Sequence, residues 1–240
     1  AAAHHAQADA LLSLANWIGA QTGATVGYLT EAANTVGAQC VGAQPQKDGL
    51  NAGQMLAGGL KGVLLLNTEP VFDSAAGVQA AQALSQAQMV VTLSPFKANL
   101  EFSDVLLPIA PFSETPGTFV NAEGRVQSFH AVVKPMGEAR PAWKVLRVLG
   151  NLLGLSGFEY ESTADVLQAA GVRGQVPAER VSNATSAQPA TAQGAVAEPA
   201  VASIYQLDSI VRRAPSLQLT ADARRAREAT AAGGPQEVLA

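Results

Sequence analysis

Gly62-Val63-Leu64-Leu65-Leu66-Asn67 decides the fold. Four consecutive large apolar residues, bounded by a glycine and an asparagine, leave no wet face. Such a run belongs to a strand of a parallel sheet covered on both sides. Working outward, Met89-Val90-Val91-Thr92-Leu93 repeats the pattern, and Val105-Leu106-Leu107 does so until Pro108 stops it. Upstream, Ala24-Thr25-Val26-Gly27-Tyr28-Leu29 reads as one more short, buried strand. Between the strands lie helical stretches: a weak one at 51–59, one at 75–86 capped by Asp73 or Ser74, and a single turn at 97–102. Residues 37–50 read as loop. Strand and helix in alternation predict an α/β fold with a doubly wound, mainly parallel, Rossmann-like sheet.

Helices flank this core. Leu11, Leu14 and Ile18 recur at helical spacing over 7–20, and Gly23 stops that helix. Pro141 opens a second, in which Trp143, Leu146, Leu149 and Leu153 share a face with Lys144 and Arg147 opposite. A short helix is expected over 163–170. From 171 to 203 the chain has few bulky side chains and reads as a flexible linker. Order signals return over 204–219, a candidate docking segment with Arg212-Arg213, and the last 20 residues read as frayed. Arg224, Arg225 and Arg227 read as a solvated helix face. The expected organisation is an α/β domain over 1–155, a helix and linker over 156–203, and a docking segment with a tail over 204–240.

Glu114-Thr-Pro-Gly-Thr-Phe-Val-Asn-Ala-Glu-Gly-Arg-Val-Gln127 interrupts the α/β pattern. Thr115-Pro116-Gly117 and Asn121-Ala122-Glu123-Gly124 are turn signals on either side of Thr118-Phe119-Val120. The stretch predicts a β-hairpin inserted after the third apolar strand. Two readings of its polar cluster stand side by side: a solvated turn, or the cap of a binding cleft. Pairing of Arg125 with Glu114 or Glu123 across the turn is the expected lock.

Composition narrows the function. The 240 residues carry a net charge of −4 with a pI near 5.4, which argues against a nucleic-acid partner. Cys40 is the sole cysteine, so the chain supplies neither an intrachain disulfide nor a four-thiolate iron–sulfur site. His4, His5 and His130 have no zinc-ligand spacing. No apolar run is long enough to cross a bilayer, so no direct membrane insertion is expected. The chain opens without Met directly into a helical pattern and is expected to be a piece of a longer polypeptide. It has no dinucleotide fingerprint, no P-loop and no nucleophile elbow. Residues at strand ends are the candidate ligand contacts, because open α/β sheets bind ligands there. They are Glu31 and Asn34 after the first strand and Asn67 after the second. Glu114, Asn121 and Arg125 join them from the hairpin.

The residues then point to a family. Ser94-Pro95-Phe96, Phe102-Ser103-Asp104-Val105-Leu106-Leu107-Pro108 and the Glu114–Gln127 hairpin resemble the molybdopterin oxidoreductase superfamily. Within it the chain looks most like the G subunit of bacterial NADH-quinone oxidoreductase, respiratory complex I. Thr30-Glu31-Ala32-Ala33-Asn34, Glu69-Pro70, Pro141-Ala142-Trp143 and Val211-Arg212-Arg213-Ala214-Pro215 carry that closer likeness. The resemblance implies a structural segment without a catalytic centre or cofactor of its own. It supports electron transfer from NADH to quinone on the cytoplasmic side of the inner membrane. Its partners are the N-terminal part of its own chain, which holds the iron–sulfur clusters, and other peripheral-arm subunits. The alternative is a molybdopterin-binding part of a formate dehydrogenase-like enzyme, with Glu31, Asn34, Asn67, Glu114, Asn121 and Arg125 lining the pterin cleft. Glu69 stands where family members commonly carry no acid, and its charge is expected to repel a phosphate-bearing ligand.

Overall fold

The computed structural model describes residues 7–30, 32–177 and 202–233. The chain divides into two compact units. The first comprises residues 1–43, 118–127 and 170–201; the second comprises 44–117, 128–169 and 202–240. One tryptophan falls in each, an exposed Trp17 and a half-buried Trp143.

The second unit holds the parallel sheet. Strands β1 (Gly62–Leu66), β2 (Met89–Ser94) and β3 (Val105–Pro108) lie in that order. Val63 registers with Val90, and Leu93 with both Leu66 and Leu107. These are the three apolar runs the sequence singled out. Helices α3 (Ala52–Leu56), α4 (Pro70–Asp73) and α5 (Val78–Leu84) fall between or before them. The helix expected over 75–86 is one helix but starts later, at Val78, because Gly77 with its positive φ of 53° takes the cap position in place of Asp73 or Ser74. Leu65, Leu84, Val90 and Phe102 form the buried cluster on one face of the sheet, with Val63, Val71 and Ala81 packed around it. Burying a leucine or phenylalanine side chain contributes roughly 1.5–3 kcal/mol, so this cluster anchors the sheet. The region 97–102 forms one turn, in which the Phe102 and Ser103 N–H groups donate to Asn99 O.

The hairpin forms as predicted, from β4 (Gly117–Val120) and β5 (Val126–Phe129). A Cβ at Gly117 would stand 2.6 Å from the Phe129 ring, so only glycine lets the two strands close there. After β5 come α6 (Ala142–Leu152) and α7 (Thr163–Ala170), at the predicted places. Pro141 caps α6 instead of occupying its first turn.

The first unit opens with α1 (Ala8–Thr22), ended by Gly23 in the left-handed conformation. Residues 24–29, expected as a strand, pair with no other strand among the described residues. They run back against α1, where the Tyr28 hydroxyl donates to Asn16 Oδ1 at 2.7 Å, and Leu29 is left 97% exposed. A strand without a ladder partner has nowhere to place its backbone donors. Part of the expected loop at 37–50 is helix α2 (Thr35–Cys40). The buried apolar residues of this unit include Val36, Val120, Val172 and Val176.

Residues 171–177, expected at the start of a flexible linker, are instead docked. The Val126 N–H donates to Gly174 O and the Val176 N–H to Gly124 O, both at 2.8 Å. The rest of that linker, 178–201, lies outside the described residues. The chain is then picked up by α8 (Ile204–Leu207), α9 (Ser209–Arg212), α10 (Pro215–Gln218) and α11 (Ala221–Gly233). A helix thus stands where fraying was expected, with Ala223 fully buried on it. Arg224, Arg225 and Arg227 are not buried, as expected for a solvated face.

Candidate functional site at the carboxyl ends of the strands

The exits of β1, β2 and β3 are the natural ligand edge of a parallel sheet. At the β1 exit, Asn67 adopts a positive φ of 50°, and its N–H donates to Leu93 O at 2.8 Å. Asparagine tolerates this conformation better than most residues. The turn is pinned by Asn99, whose Nδ2 donates to Thr68 O at 3.0 Å. The Glu69 N–H donates to Asp73 Oδ2 at 2.6 Å, which closes the first turn of α4.

Glu69 itself is 5% exposed. Arg213 binds it with both guanidinium nitrogens, Nη1 to Oε1 at 2.7 Å and Nη2 to Oε2 at 2.8 Å. Arg212 Nη2 stands 3.1 Å from Oε1, and Arg212 Nη1 stands 3.7 Å from Asp73 Oδ1. The two guanidiniums also lie over aromatic rings: Arg212 over Phe72 at 4.3 Å and Arg213 over Phe96 at 4.4 Å. Burial pushes the Glu69 pKa up, but the hydrogen bonds and charges of Arg213 and Arg212 outweigh it and hold it below the ordinary carboxylate value. The expected repulsion of an anion by Glu69 is thereby corrected, since two cations already neutralise that carboxylate. Through Arg212 and Arg213 the 204–219 segment is tied to the β1 and β2 exits of its own chain.

The β3 exit is different. Ile109 bridges to Arg140, and the Ala110 N–H donates to Arg140 O at 2.9 Å. A 3₁₀ turn, Phe112–Glu114, follows. Glu114 Oε2 accepts the Met136 N–H at 3.1 Å. These bonds shape an open cavity of about 670 Å³ whose lining includes Glu114, Pro116, Lys134, Arg140, Pro141 and Lys144. Three cations therefore face one carboxylate. The Arg140 guanidinium donates to Ala139 O at 2.8 Å and to Gly137 O at 3.3 Å. Those bonds fix its orientation while its remaining donors stay available.

The other candidate residues serve the backbone. Asn34 Oδ1 accepts the Val120 N–H at 2.8 Å, which joins the start of α2 to the hairpin. Asn121 Oδ1 accepts the N–H groups of Glu123 at 3.1 Å and Arg125 at 2.9 Å, and so folds the turn from within. Arg125 is exposed and, among the described residues, makes no ion pair with Glu114 or Glu123, contrary to the expected lock. The lock is Asn121, because a short side chain inside the turn reaches two donors that a long exposed one gains little by replacing. Glu31 lies outside the described residues. Lys134, Arg140 and Lys144 in the cavity lining, and Arg212 and Arg213 as partners of Glu69, were not among the expected ligand contacts. Their one sequence signal is charge, which is sparse in this chain at 14%.

A family model of molybdopterin oxidoreductases matches residues 1–152. The chain belongs to the molybdopterin oxidoreductase family. It is 43% identical over 70 residues to a probable oxidoreductase, YjgC, of Bacillus subtilis (strain 168), covering 29% of this chain and 7% of that protein. It is 38% identical over 66 residues to a putative formate dehydrogenase of Staphylococcus aureus (strain bovine RF122 / ET3-1), covering 28% and 7%. It is 30% identical over 111 residues to a nitrate reductase of Shewanella frigidimarina (strain NCIMB 400), covering 45% and 12%. The chain thus spans only a small part of the curated relatives it matches. The hairpin resemblance led to the right family; these relatives do not carry the narrower likeness to a complex I subunit.

Membership in the molybdopterin family implies a pterin group bearing phosphate. The donor set at the β3 cavity fits such a group, with Lys134, Arg140 and Lys144 supplying charge and N–H donors. At the β1 exit the residues do not fit it, because Glu69 and both guanidiniums are engaged with one another. Among the described residues no helix is long and apolar enough to cross a membrane.

Proposed function

We propose that the chain forms part of the pterin-binding region of a molybdopterin-dependent oxidoreductase of the formate dehydrogenase or nitrate reductase kind. The observation that carries this reading is the cavity at the β3 exit, where Lys134, Arg140 and Lys144 outnumber Glu114. The group, when bound, supplies two-electron redox chemistry at its metal. The chain's own part is to hold and orient. Lys134 and Lys144 attract the phosphates as mobile point charges, and Arg140, fixed by two backbone carbonyls, sets their direction. Glu114 is tied to the Met136 N–H and keeps the cavity wall in place.

A second reading has its own support. In a complex I subunit the segment is a scaffold without cofactor, packed in the peripheral arm at the cytoplasmic face of the inner membrane. The closed ion network on Glu69 favours it, because both guanidiniums at the β1 exit are spent on a carboxylate of the same chain. Metal analysis and oxidised-pterin fluorescence of the purified full-length protein separate the two. The first reading expects stoichiometric molybdenum and pterin, and a several-fold loss of both in Lys134→Ala/Arg140→Ala/Lys144→Ala at unchanged folding. Protein free of molybdenum and pterin refutes it and supports the scaffold.

A further inference from the structure

Residues 203–220 are knit together by their own polar bonds. Ser203 Oγ accepts the Tyr205 N–H, and Asp208 Oδ1 accepts those of Ile210 and Val211. Gln218 Nε2 donates to Tyr205 O and Val211 O at 3.0 and 2.9 Å, and Arg212 donates to Gln206 O and Leu207 O. No residue of α8, α9 or α10 is fully buried. The segment therefore coheres without an apolar core of its own.

Its attachment is just as specific. The ion pairs and ring contacts that hold it converge on three places at the strand exits. These are Glu69 with Asp73 beside it, the Phe72 ring, and the Phe96 ring beyond β2. A charge-assisted bidentate bond is strong and directional, but it is lost as a unit when its one carboxylate is changed. Arg212 and Arg213 are neighbours in sequence, so both let go of Glu69 together.

We propose that residues 203–220 are a detachable strap across the exits of β1 and β2, with Glu69 as its latch. With the strap seated, Glu69, Pro70 and Ser94 are buried and Thr68, Pro95 and Phe96 are partly covered, while Asn67 stays exposed beside them. With the strap released, the edge where parallel sheets receive ligands is open. This device is separate from the β3 cavity and holds whether or not that cavity binds a pterin.

Hydrogen–deuterium exchange of the full chain tests it. Glu69→Gln keeps the side-chain shape and removes the charge. It is expected to raise exchange at least tenfold in peptides covering 203–220 and, together with them, in peptides covering 67–72 and 94–99. Peptides inside β2 are expected to stay protected. Arg213→Met keeps an apolar stem on the Phe96 ring and is expected to raise the same three regions by less. Faster exchange in 203–220 with 67–72 and 94–99 unchanged overturns the strap, as does no change in any of the three. If Glu69→Gln also loosens β2, Arg213→Met decides by the same criteria.

Discussion

Replacing Gly124 with alanine attacks the hairpin where it is most constrained. Gly124 has a φ of +83°, and a Cβ there would stand 2.9 Å from Gln175 Nε2 and 3.1 Å from Val176 O. The left-handed backbone alone costs a non-glycine residue roughly 1–2 kcal/mol. The amide of Gln175 is a flexible end and can swing away, at the loss of the bond it donates to Glu123 O. The Val176 carbonyl is backbone and cannot do so without pulling on the bond from the Val176 N–H to Gly124 O. Weakening that bond adds about 0.5–1.5 kcal/mol. The sum is about 1.5–3.5 kcal/mol, which corresponds to a loss of protection of roughly 10- to 400-fold for the amides it holds. Amide exchange at Val126 and Val176 reads this directly, since local opening and not global unfolding is expected. Gly174→Ala is the control: φ is +59° there and nothing lies within 4 Å of the added Cβ, so it carries the backbone cost alone. Gly124→Ala should exceed it by about 1 kcal/mol, the share assigned to the hydrogen bond. Equal protection in the two variants, or none lost in Gly124→Ala, refutes the assigned contact.

Two further outcomes are expected. Asn34→Ala removes the acceptor of the buried Val120 N–H, which should cost about 1–3 kcal/mol and speed exchange at Val120 while the parallel sheet keeps its protection. The seating of 203–220 should also depend on pH. The charged groups facing Glu69 are Arg212, Arg213 and Asp73. Because the folded pKa of Glu69 lies below its ordinary value of 4.5, its contribution is complete above that value and is lost as pH falls through the lower folded one. Proteolysis of the 203–220 segment, followed against pH, should rise in that acid range, and Glu69→Gln should flatten the profile.

Local pattern sufficed for the elements that fold on their own chemistry. The runs at 63–66, 89–93 and 105–107, the hairpin with its two turns and the helix after Pro141 all stand where residue type and period place them. What failed depends on partners distant in sequence. Residues 24–29 look like a strand, yet strand formation needs a neighbour to complete the ladder, and among the described residues none pairs with them; their side-chain contact to α1 is the Tyr28–Asn16 bond. The glycine-bearing stretch at 171–177 looks featureless, yet its backbone pairs with Gly124 and Val126, far earlier in the chain. Glu69 and Arg213 are separated by 144 positions, so no spacing rule links them. The candidate site was legible as a place and not as a set of side chains. Of the residues expected at strand exits, Asn34 and Asn121 are spent on backbone donors, and the cations at 134, 140 and 144 come together only where the chain beyond β3 folds back.

The division into two units gives each a built-in optical label. Trp17 and Trp143 are the only tryptophans, and they fall on opposite sides of that division. Trp17→Phe leaves the emission of the sheet-bearing unit, and Trp143→Phe leaves that of the other. Two melting curves recorded from the pair of single-tryptophan proteins therefore measure cooperativity itself: coincident midpoints mean one folding transition, and separated midpoints mean two.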